Sequence, residues 1–163
     1  MVNRLIAYLL LLALGSLLGS LSSVQEGLLA PWCELEAALS GVLMHAFGSG
    51  VERIGAELHD PETGQGILVL WACSGADATF ILLAAILVYP ASFRSRIKGI
   101  LAGFIVVQGM NVLRIISLFY LNLSSREWFE FAHLYLWQGL LMVDLLVFML
   151  LWLRWERVQG RTE

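Results

Sequence analysis

Four stretches of this chain run for about twenty residues with very few charges, and this pattern restricts the fold more than any other feature. The stretches cover residues 5–24, 72–89, 99–121 and 133–153. A helix needs about 20 mostly apolar residues to cross the hydrocarbon core of a bilayer. The whole chain is 59% hydrophobic and 14% charged, whereas a soluble domain carries about 25% charged residues. We therefore expect a bilayer to surround most of this protein.

The apolar stretches predict helices and not barrel strands. In a bilayer every backbone polar group must be bonded within the protein, and the stretches lack the alternating pattern of barrel strands. The sequence thus predicts an all-α, polytopic helical membrane protein with about four transmembrane helices. We expect residues 1–163 to form a single integral-membrane domain, since no linker or internal repeat divides them.

The segment between the first two predicted spans, residues 25–71, is expected to lie outside the cytoplasm. Within it, residues 27–50 are apolar but contain Glu34, Glu36 and His45, which make a full crossing costly and favour an amphipathic helix at the interface. Residues 51–66 are polar and rich in glycine, so they predict an aqueous loop with a turn at Asp60-Pro61, forming part of a substrate rim.

The first apolar stretch has two interpretations. The small residues from Gly19 to Ser23 resemble the cleavage site of a signal peptide. The apolar run, however, exceeds the 7–15 residues of an ordinary signal core, which favours an uncleaved membrane anchor.

Basic residues predict the orientation, because short cytoplasmic loops are enriched in Lys and Arg. With four spans, one face receives Arg4, Arg94, Arg96, Lys98, Arg154, Arg157 and Arg161. The opposite face receives Arg53 and Arg126 together with many carboxylates. We therefore expect the first face to be cytoplasmic.

Three reactive side chains fall on the predicted outer side. Cys73 lies at the outer end of the second span and His133 at the outer start of the fourth. Arg114 lies within the third span, about 10 Å below the outer surface at 1.5 Å per residue. Because a guanidinium can extend several ångströms toward the interface, the three groups are expected to meet near the outer rim.

These three groups have the chemistry of acyl transfer. Cysteine attacks as the thiolate, which a nearby cation stabilises. Histidine can protonate a leaving amine and later activate the incoming nucleophile. Arginine can stabilise the thiolate or the tetrahedral oxyanion. Gly75, two residues after Cys73, leaves room for a carbonyl to approach. The three candidate catalytic residues are therefore Cys73, Arg114 and His133.

Other polar residues of the spans are expected to support this site. A charge inside a span is costly, so Arg114 needs a partner, and Asp144 and Asp77 are the candidates. Asn111, one turn before Arg114, is expected to orient it by hydrogen bonding.

Two alternatives remain open. The first is a non-enzymatic membrane scaffold or assembly factor in which Arg114 and Asp144 form a structural pair. The second is a thiol-redox or haem protein that uses Cys33 with Cys73, or His45 with His133. The few basic residues argue against nucleic-acid binding, and the histidines lack ligand-like spacing. We expect neither a metal nor a cofactor.

The same residues resemble a known family. Cys73-Ser74-Gly75 at the start of a span, Asn111-Val112-Leu113-Arg114 within the next, and His133 at the start of another are similar to motifs of the exosortase/archaeosortase family. The resemblance covers roughly residues 68–150, and the order, spacing and membrane sides of the motifs agree together. It implies that Cys73 is the nucleophile, Arg114 the electrostatic partner and His133 the acid and base.

The resemblance also implies a substrate and a location. Members of the family are multi-pass cysteine transpeptidases of the bacterial inner membrane with an extracytoplasmic active site. They cleave the C-terminal tail of exported, membrane-tethered proteins and transfer the new carboxyl end to an acceptor, whose identity stays open here. This chain is shorter than many members and resembles the short exosortase H-like subgroup, which is associated with an IPTL-like tail.

Overall fold

The computed structural model describes residues 2–159 and contains five helices with one small sheet between the second and third. The helices are α1 (Val2–Gly19), α2 (Ser22–Ala46), α3 (Ala76–Val88), α4 (Phe93–Ser124) and α5 (Arg126–Val158). The strands are β1 (Glu52–Ile54), β2 (Glu57–His59) and β3 (Gly66–Leu68). One turn of π-helix interrupts α2 at Gln25–Leu29, and another interrupts α5 at Ala132–Leu136.

The prediction of a helical membrane protein with about four spans is confirmed. Within residues 2–159, α1, α2, α4 and α5 are long and apolar enough to cross a bilayer. These four differ in part from the four predicted stretches. Helix α2 has 25 residues, although its sequence was assigned to an interfacial segment, and α3 has only 13, fewer than a full crossing needs. Which side of the membrane α2 occupies stays a prediction.

Helix α4 is the centre of the bundle and packs against α2, α3, α5 and β3. Small residues allow this close packing. A Cβ atom on Gly103 would lie 2.9 Å from the Phe148 ring of α5, and a Cβ on Gly99 would overlap Trp152. Glycines at such contacts let membrane helices approach closely, where dispersion contacts drive association. Four polar residues of α4 are buried, namely Ser95, Gln108, Asn111 and Arg114.

Aromatic and polar contacts bring the predicted basic loops to one end of the bundle. Helix α3 ends before Pro90, and the Ser92 hydroxyl caps α4 by accepting a hydrogen bond from the Ser95 amide, 3.3 Å away. At this end the Lys98 ammonium lies 5.6 Å from the Trp155 ring. Arg4 of α1 lies in the same region, beside Tyr89. Arg161 lies outside the described residues.

The three strands correct the prediction of a loop over residues 51–66. They form an antiparallel sheet in the order β1-β2-β3, and the predicted turn at Asp60 connects β2 to β3. The strands are three residues each, too short for alternation to be visible in the sequence. Leu58 of β2 is fully buried against Met44 of α2 and Phe119 of α4, so the sheet is anchored to the bundle.

Helix α2 has an exposed half and a packed half. No residue of Ser22–Leu29 is buried, whereas from Cys33 onward one face packs on α4 and the sheet. The Trp32 ring lies 5.6 Å from the Phe104 ring, and Met44 reaches the cluster around Phe119. These contacts make α2 parallel to α4, with its end beside the sheet.

Candidate active site

Cys73 lies on a tight turn that its neighbours determine. Residues Trp71–Cys73 form one 3₁₀ turn, and Gly75 then adopts a left-handed conformation with φ of 67° before α3 begins at Ala76. A Cβ at Gly75 would lie 3.3 Å from the Asn111 side chain of α4. Glycine is therefore favoured both by conformation and by space. The predicted span thus begins as a turn that presents a half-buried thiol just before a helix.

Arg114 is buried, with 4% of its surface exposed, and its guanidinium points toward the thiol. Its Nη2 atom lies 3.8 Å from Cys73 Sγ. The ion pairs formed within residues 2–159 join His59 to Glu52 and Arg126 to Glu130, so Arg114 has no carboxylate partner there. The structure therefore places the guanidinium beside a group that becomes negative on deprotonation, and the Arg114–Asp144 pair of the scaffold alternative is not formed.

His133 lies on the π-helical turn of α5 and is half-buried. Its ring stacks on Phe129 with centroids 5.6 Å apart and an interplanar angle of 4°. Its Nδ1 atom is buried and has no hydrogen-bond partner in the described part of the chain. Single π-helical turns inside α-helices are frequent at functional sites, because the extra residue changes the direction of a side chain. The imidazole is thus fixed in orientation and has an unused polar atom.

One small cavity of about 40 Å³ joins the three groups. Its wall consists of Cys73, Arg114, His133 and apolar side chains from β3, the residue after it, α4 and α5, namely Ile67, Leu68, Val69, Ile115, Leu118 and Phe129. A ligand pocket usually has about 300 Å³ or more, so this cavity admits a reacting group and not a whole peptide. The remainder of a substrate must lie along the surface beside it.

Two opposing effects act on the thiol, which lies outside the long helices. Burial raises the pKa of Cys73 above its ordinary value, and the positive charge of Arg114 lowers the pKa in opposition. Burial is the larger of the two effects. Arg114 is therefore the group that keeps the thiolate accessible in a desolvated position.

The predicted supporting residues lie in different places. Asn111 is fully buried, but its Nδ2 atom donates to Glu36 Oε2 at 3.0 Å and not to Arg114. Asp77 is exposed on the first turn of α3. Asp144 is half-buried, and its Oδ2 atom has no partner among residues 2–159. The structure therefore brings Asn111 close to the site through Glu36 and Gly75, while it forms no contact between either aspartate and Arg114.

A buried polar network behind Cys73 was missed from the sequence. Glu36 of α2 is 1% exposed. With the Gln108 amide oriented to satisfy both its polar atoms, its nitrogen donates to Glu36 Oε1 (3.1 Å) and to the Ser74 carbonyl (3.2 Å), and its oxygen accepts from Thr79 (2.8 Å). The signal was available, since an ionisable residue at membrane depth indicates a functional site with a polar partner.

The geometry gives little support to the second alternative, which is a thiol-redox or haem protein. Cys33 and Cys73 are both free thiols, although Cys33 lies beside Ser74. His45 Nδ1 donates a 2.8 Å hydrogen bond to the Ser49 carbonyl just beyond the end of α2. Within residues 2–159 no three His, Cys, Asp or Glu side chains are grouped closely enough to hold a metal ion.

A comparison with protein families decides the identity at the family level. The family model described as transmembrane exosortase matches residues 2–153. The chain belongs to the transmembrane exosortase family. The exosortase match includes Cys73, Arg114 and His133 and extends well beyond the residues that carry the resemblance in the sequence. A search of curated proteins finds no match, and a search of solved structures finds none.

Proposed function

We propose that this protein is a membrane-embedded cysteine peptidase and transpeptidase that cleaves the C-terminal sorting tail of exported proteins through a Cys73 thioester. The observation that supports the proposal most is the 3.8 Å contact of the Arg114 guanidinium with Cys73 Sγ, in a cavity that His133 also lines. The membership of the exosortase family supports a membrane transpeptidase of this type.

The first half of the reaction forms the thioester. His133 removes the proton of the Cys73 thiol, and the resulting thiolate attacks the scissile carbonyl carbon to form a tetrahedral oxyanion. Arg114 stabilises the thiolate before attack and the oxyanion after it. When the intermediate collapses, the C–N bond breaks, and the protonated His133 gives its proton to the leaving amine. The tail departs with a new amino end, and the upstream protein stays bound to sulfur.

The second half transfers the protein to an acceptor. Neutral His133 now removes a proton from the acceptor nucleophile, which is water or an amine or hydroxyl group. The nucleophile attacks the thioester carbonyl, the C–S bond breaks, and the Cys73 thiolate returns. The stacking on Phe129 keeps the imidazole in one orientation for both proton transfers.

The location of the site supports an extracytoplasmic reaction. The basic loops lie at the end of the bundle where Lys98 contacts Trp155, whereas Cys73 lies at the other end of α3. Basic loops are typically cytoplasmic, so we propose that the active site faces outward from the bacterial inner membrane. Exported proteins that remain tethered by their tails are present on that face.

The test is co-expression with a protein that carries a C-terminal tail of a short motif, an apolar helix and basic residues. We expect the intact protein to lose its tail, detected by mass spectrometry, and Cys73→Ala to abolish the cleavage. Cys33→Ala is the matched control, because Cys33 is also a buried free thiol but does not line the cavity. We also expect a hydroxylamine-sensitive adduct on Cys73 when the unchanged protein is quenched with acid during turnover, and no such adduct in Cys73→Ala. Cleavage that persists without Cys73 would overturn the proposal.

A further inference from the structure

Strand β3 has one open edge. The sheet order is β1-β2-β3, so β3 pairs with β2 on one side and with no strand on the other. An open edge presents unpaired main-chain N–H and C=O groups to any extended chain that approaches. This edge is the part of the sheet that reaches the cavity, because Ile67, Leu68 and the following Val69 lie in the cavity wall.

The pairing register shows which residues of β3 direct their backbone N–H and C=O groups toward that open edge. The Val69 amide donates to the Ala56 carbonyl at 3.0 Å, and the Asp60 amide donates to the Gln65 carbonyl at 2.8 Å. In an antiparallel pair, residues bonded to the partner strand alternate with residues that are not. Gln65, Ile67 and Val69 therefore bond toward β2. Gly66 and Leu68 direct their backbone groups away from it.

Gly66 and Leu68 differ in the hydrogen bonds that their outward backbone groups form. The Gly66 carbonyl accepts a hydrogen bond from Asn122 Nδ2 of α4 at 3.1 Å, so this end of the edge is closed. Leu68 N–H and C=O take part in no hydrogen bond within the described residues. The Leu68 side chain is also exposed. The edge is therefore open at Leu68, the end nearer in sequence to Cys73.

We propose that the substrate of the proposed reaction binds as an extended peptide that adds a fourth strand to the sheet, paired through the Leu68 backbone. The proposal rests on the proposed function of Cys73 and identifies how its substrate is held. Adding a strand to an open edge is a common mode of peptide recognition. Leu68 and Cys73 are joined by a short chain segment, so a peptide of about four residues, about 13 Å long, spans both.

Pairing through this edge determines which parts of a peptide contribute to its affinity and which contribute to specificity. Main-chain hydrogen bonds contribute affinity that tolerates changes of peptide sequence, and alternate side chains contribute specificity. Apart from Cys73, Arg114 and His133, the cavity wall is apolar. We therefore expect an apolar side chain next to the scissile carbonyl to enter the cavity, while the neighbouring side chain points away from it.

Two alkylating reagents of different length test the proposal on the full-length protein in detergent. Acetyl-tetraalanyl chloromethyl ketone carries an extended backbone, and its chloride is displaced by the Cys73 thiolate to form a C–S bond. Chloroacetamide reacts in the same way but cannot pair with a strand. We expect Leu68→Pro, which removes the outward N–H, to lower the rate with the peptide reagent, relative to the rate with chloroacetamide, by about fivefold or more.

Arg53→Pro is the matched control, because Arg53 lies in β1 away from the cavity, and the register directs its N–H group to the opposite edge of the same sheet. We expect it to react with the peptide reagent at nearly the rate of the unchanged protein. A second measurement is independent of folding: replacing the amides of the peptide reagent by esters should slow its reaction with the unchanged protein by a similar factor. Equal rates for amide and ester reagents would overturn the edge proposal alone. Tail cleavage without Cys73 would instead overturn the proposed function.

Discussion

At the scale of single residues, the environment of Arg114 makes the clearest chemical prediction. The guanidinium is buried beside a thiol and has no carboxylate partner within residues 2–159. Such a cation is costly unless a negative charge forms next to it. We infer that the energetic cost of burying Arg114 is offset partly when Cys73 ionises. Arginine and cysteine thus act as one unit.

Replacing Arg114 by Gln should shift the ionisation of Cys73 to higher pH. Burial raises the pKa of the thiol, and the charge of Arg114 opposes this effect. Without the cation only the raising effect remains, so less thiolate exists at neutral pH. We expect the midpoint of the pH profile for chloroacetamide alkylation to move to higher pH. Arg126→Gln is the control, because Arg126 forms an exposed ion pair with Glu130. An unchanged midpoint in Arg114→Gln would mean that the guanidinium does not stabilise the thiolate.

Glu36 should matter for stability although it does not line the cavity. Its carboxylate accepts hydrogen bonds from Asn111 and Gln108, so Glu36→Gln replaces an acceptor by an amide group and leaves one buried donor unpaired. We expect a loss of about 1–2 kcal/mol in unfolding free energy, measured by thermal unfolding in detergent. Glu34→Gln on the exposed face of the same helix should have an effect near zero. Equal melting temperatures for both variants would contradict the network.

The sequence predicted some of these residues and missed others for a physical reason. Cys73, Arg114 and His133 could be brought together because hydropathy and loop charge give each of them a depth and a membrane side. The position of Glu36 depends on which face of α2 packs on α4, and hydropathy alone does not determine a helix-helix contact. For the same reason, Asn111 was identified as a supporting residue but given the wrong partner.

At the scale of elements, the start of α3 determines where the thiol lies. Gly75 is left-handed and faces Asn111 at close range, so Gly75→Ala should impose strain of about 1–2 kcal/mol and move Cys73 away from Arg114. We expect a lower melting temperature together with slower alkylation of Cys73.

Gly109→Ala is the matched control for this change. Gly109 lies within α4, and a Cβ there would meet open space. Alanine is the better helix former, so this variant should keep or raise the melting temperature, by up to about 1 kcal/mol in stability. A Gly75→Ala protein that behaves like Gly109→Ala would show that the turn can relax without moving the thiol.

Long helices were predictable from composition, whereas the short elements were not. Runs of about twenty apolar residues can be recognised in a single sequence, so α1, α4 and α5 follow from hydropathy. The strands are three residues each, and the π-helical turn that holds His133 has no sequence signature of its own. The strands form where α2 and α4 provide a surface for Leu58, and Ala132 of the π-helical turn packs against Leu118 of α4. Tertiary contact, and not local preference, determines them.

At the scale of the whole molecule, the bundle separates two chemical environments. One end carries the basic loops and aromatic contacts such as Tyr89 with Trp152, 5.4 Å apart. The other end carries the sheet, the open edge of β3 and the cavity. We therefore expect the tethered substrate of the proposed reaction to approach the cavity from one side of the membrane.

The orientation itself can be measured with a reagent that does not cross membranes. In a Cys33→Ala, Cys73→Ala background, Glu62→Cys places a thiol on the exposed turn before β3, and Phe93→Cys places one on the exposed start of α4. Because basic loops remain cytoplasmic, we expect an impermeant maleimide to label position 62 on intact spheroplasts and to reach position 93 only after permeabilisation. The reverse pattern would place Cys73 on the cytoplasmic side, where exported proteins are not present, and the proposed reaction would lose its substrate. Labelling of both positions on intact spheroplasts would show that the helices do not separate the two ends across a bilayer.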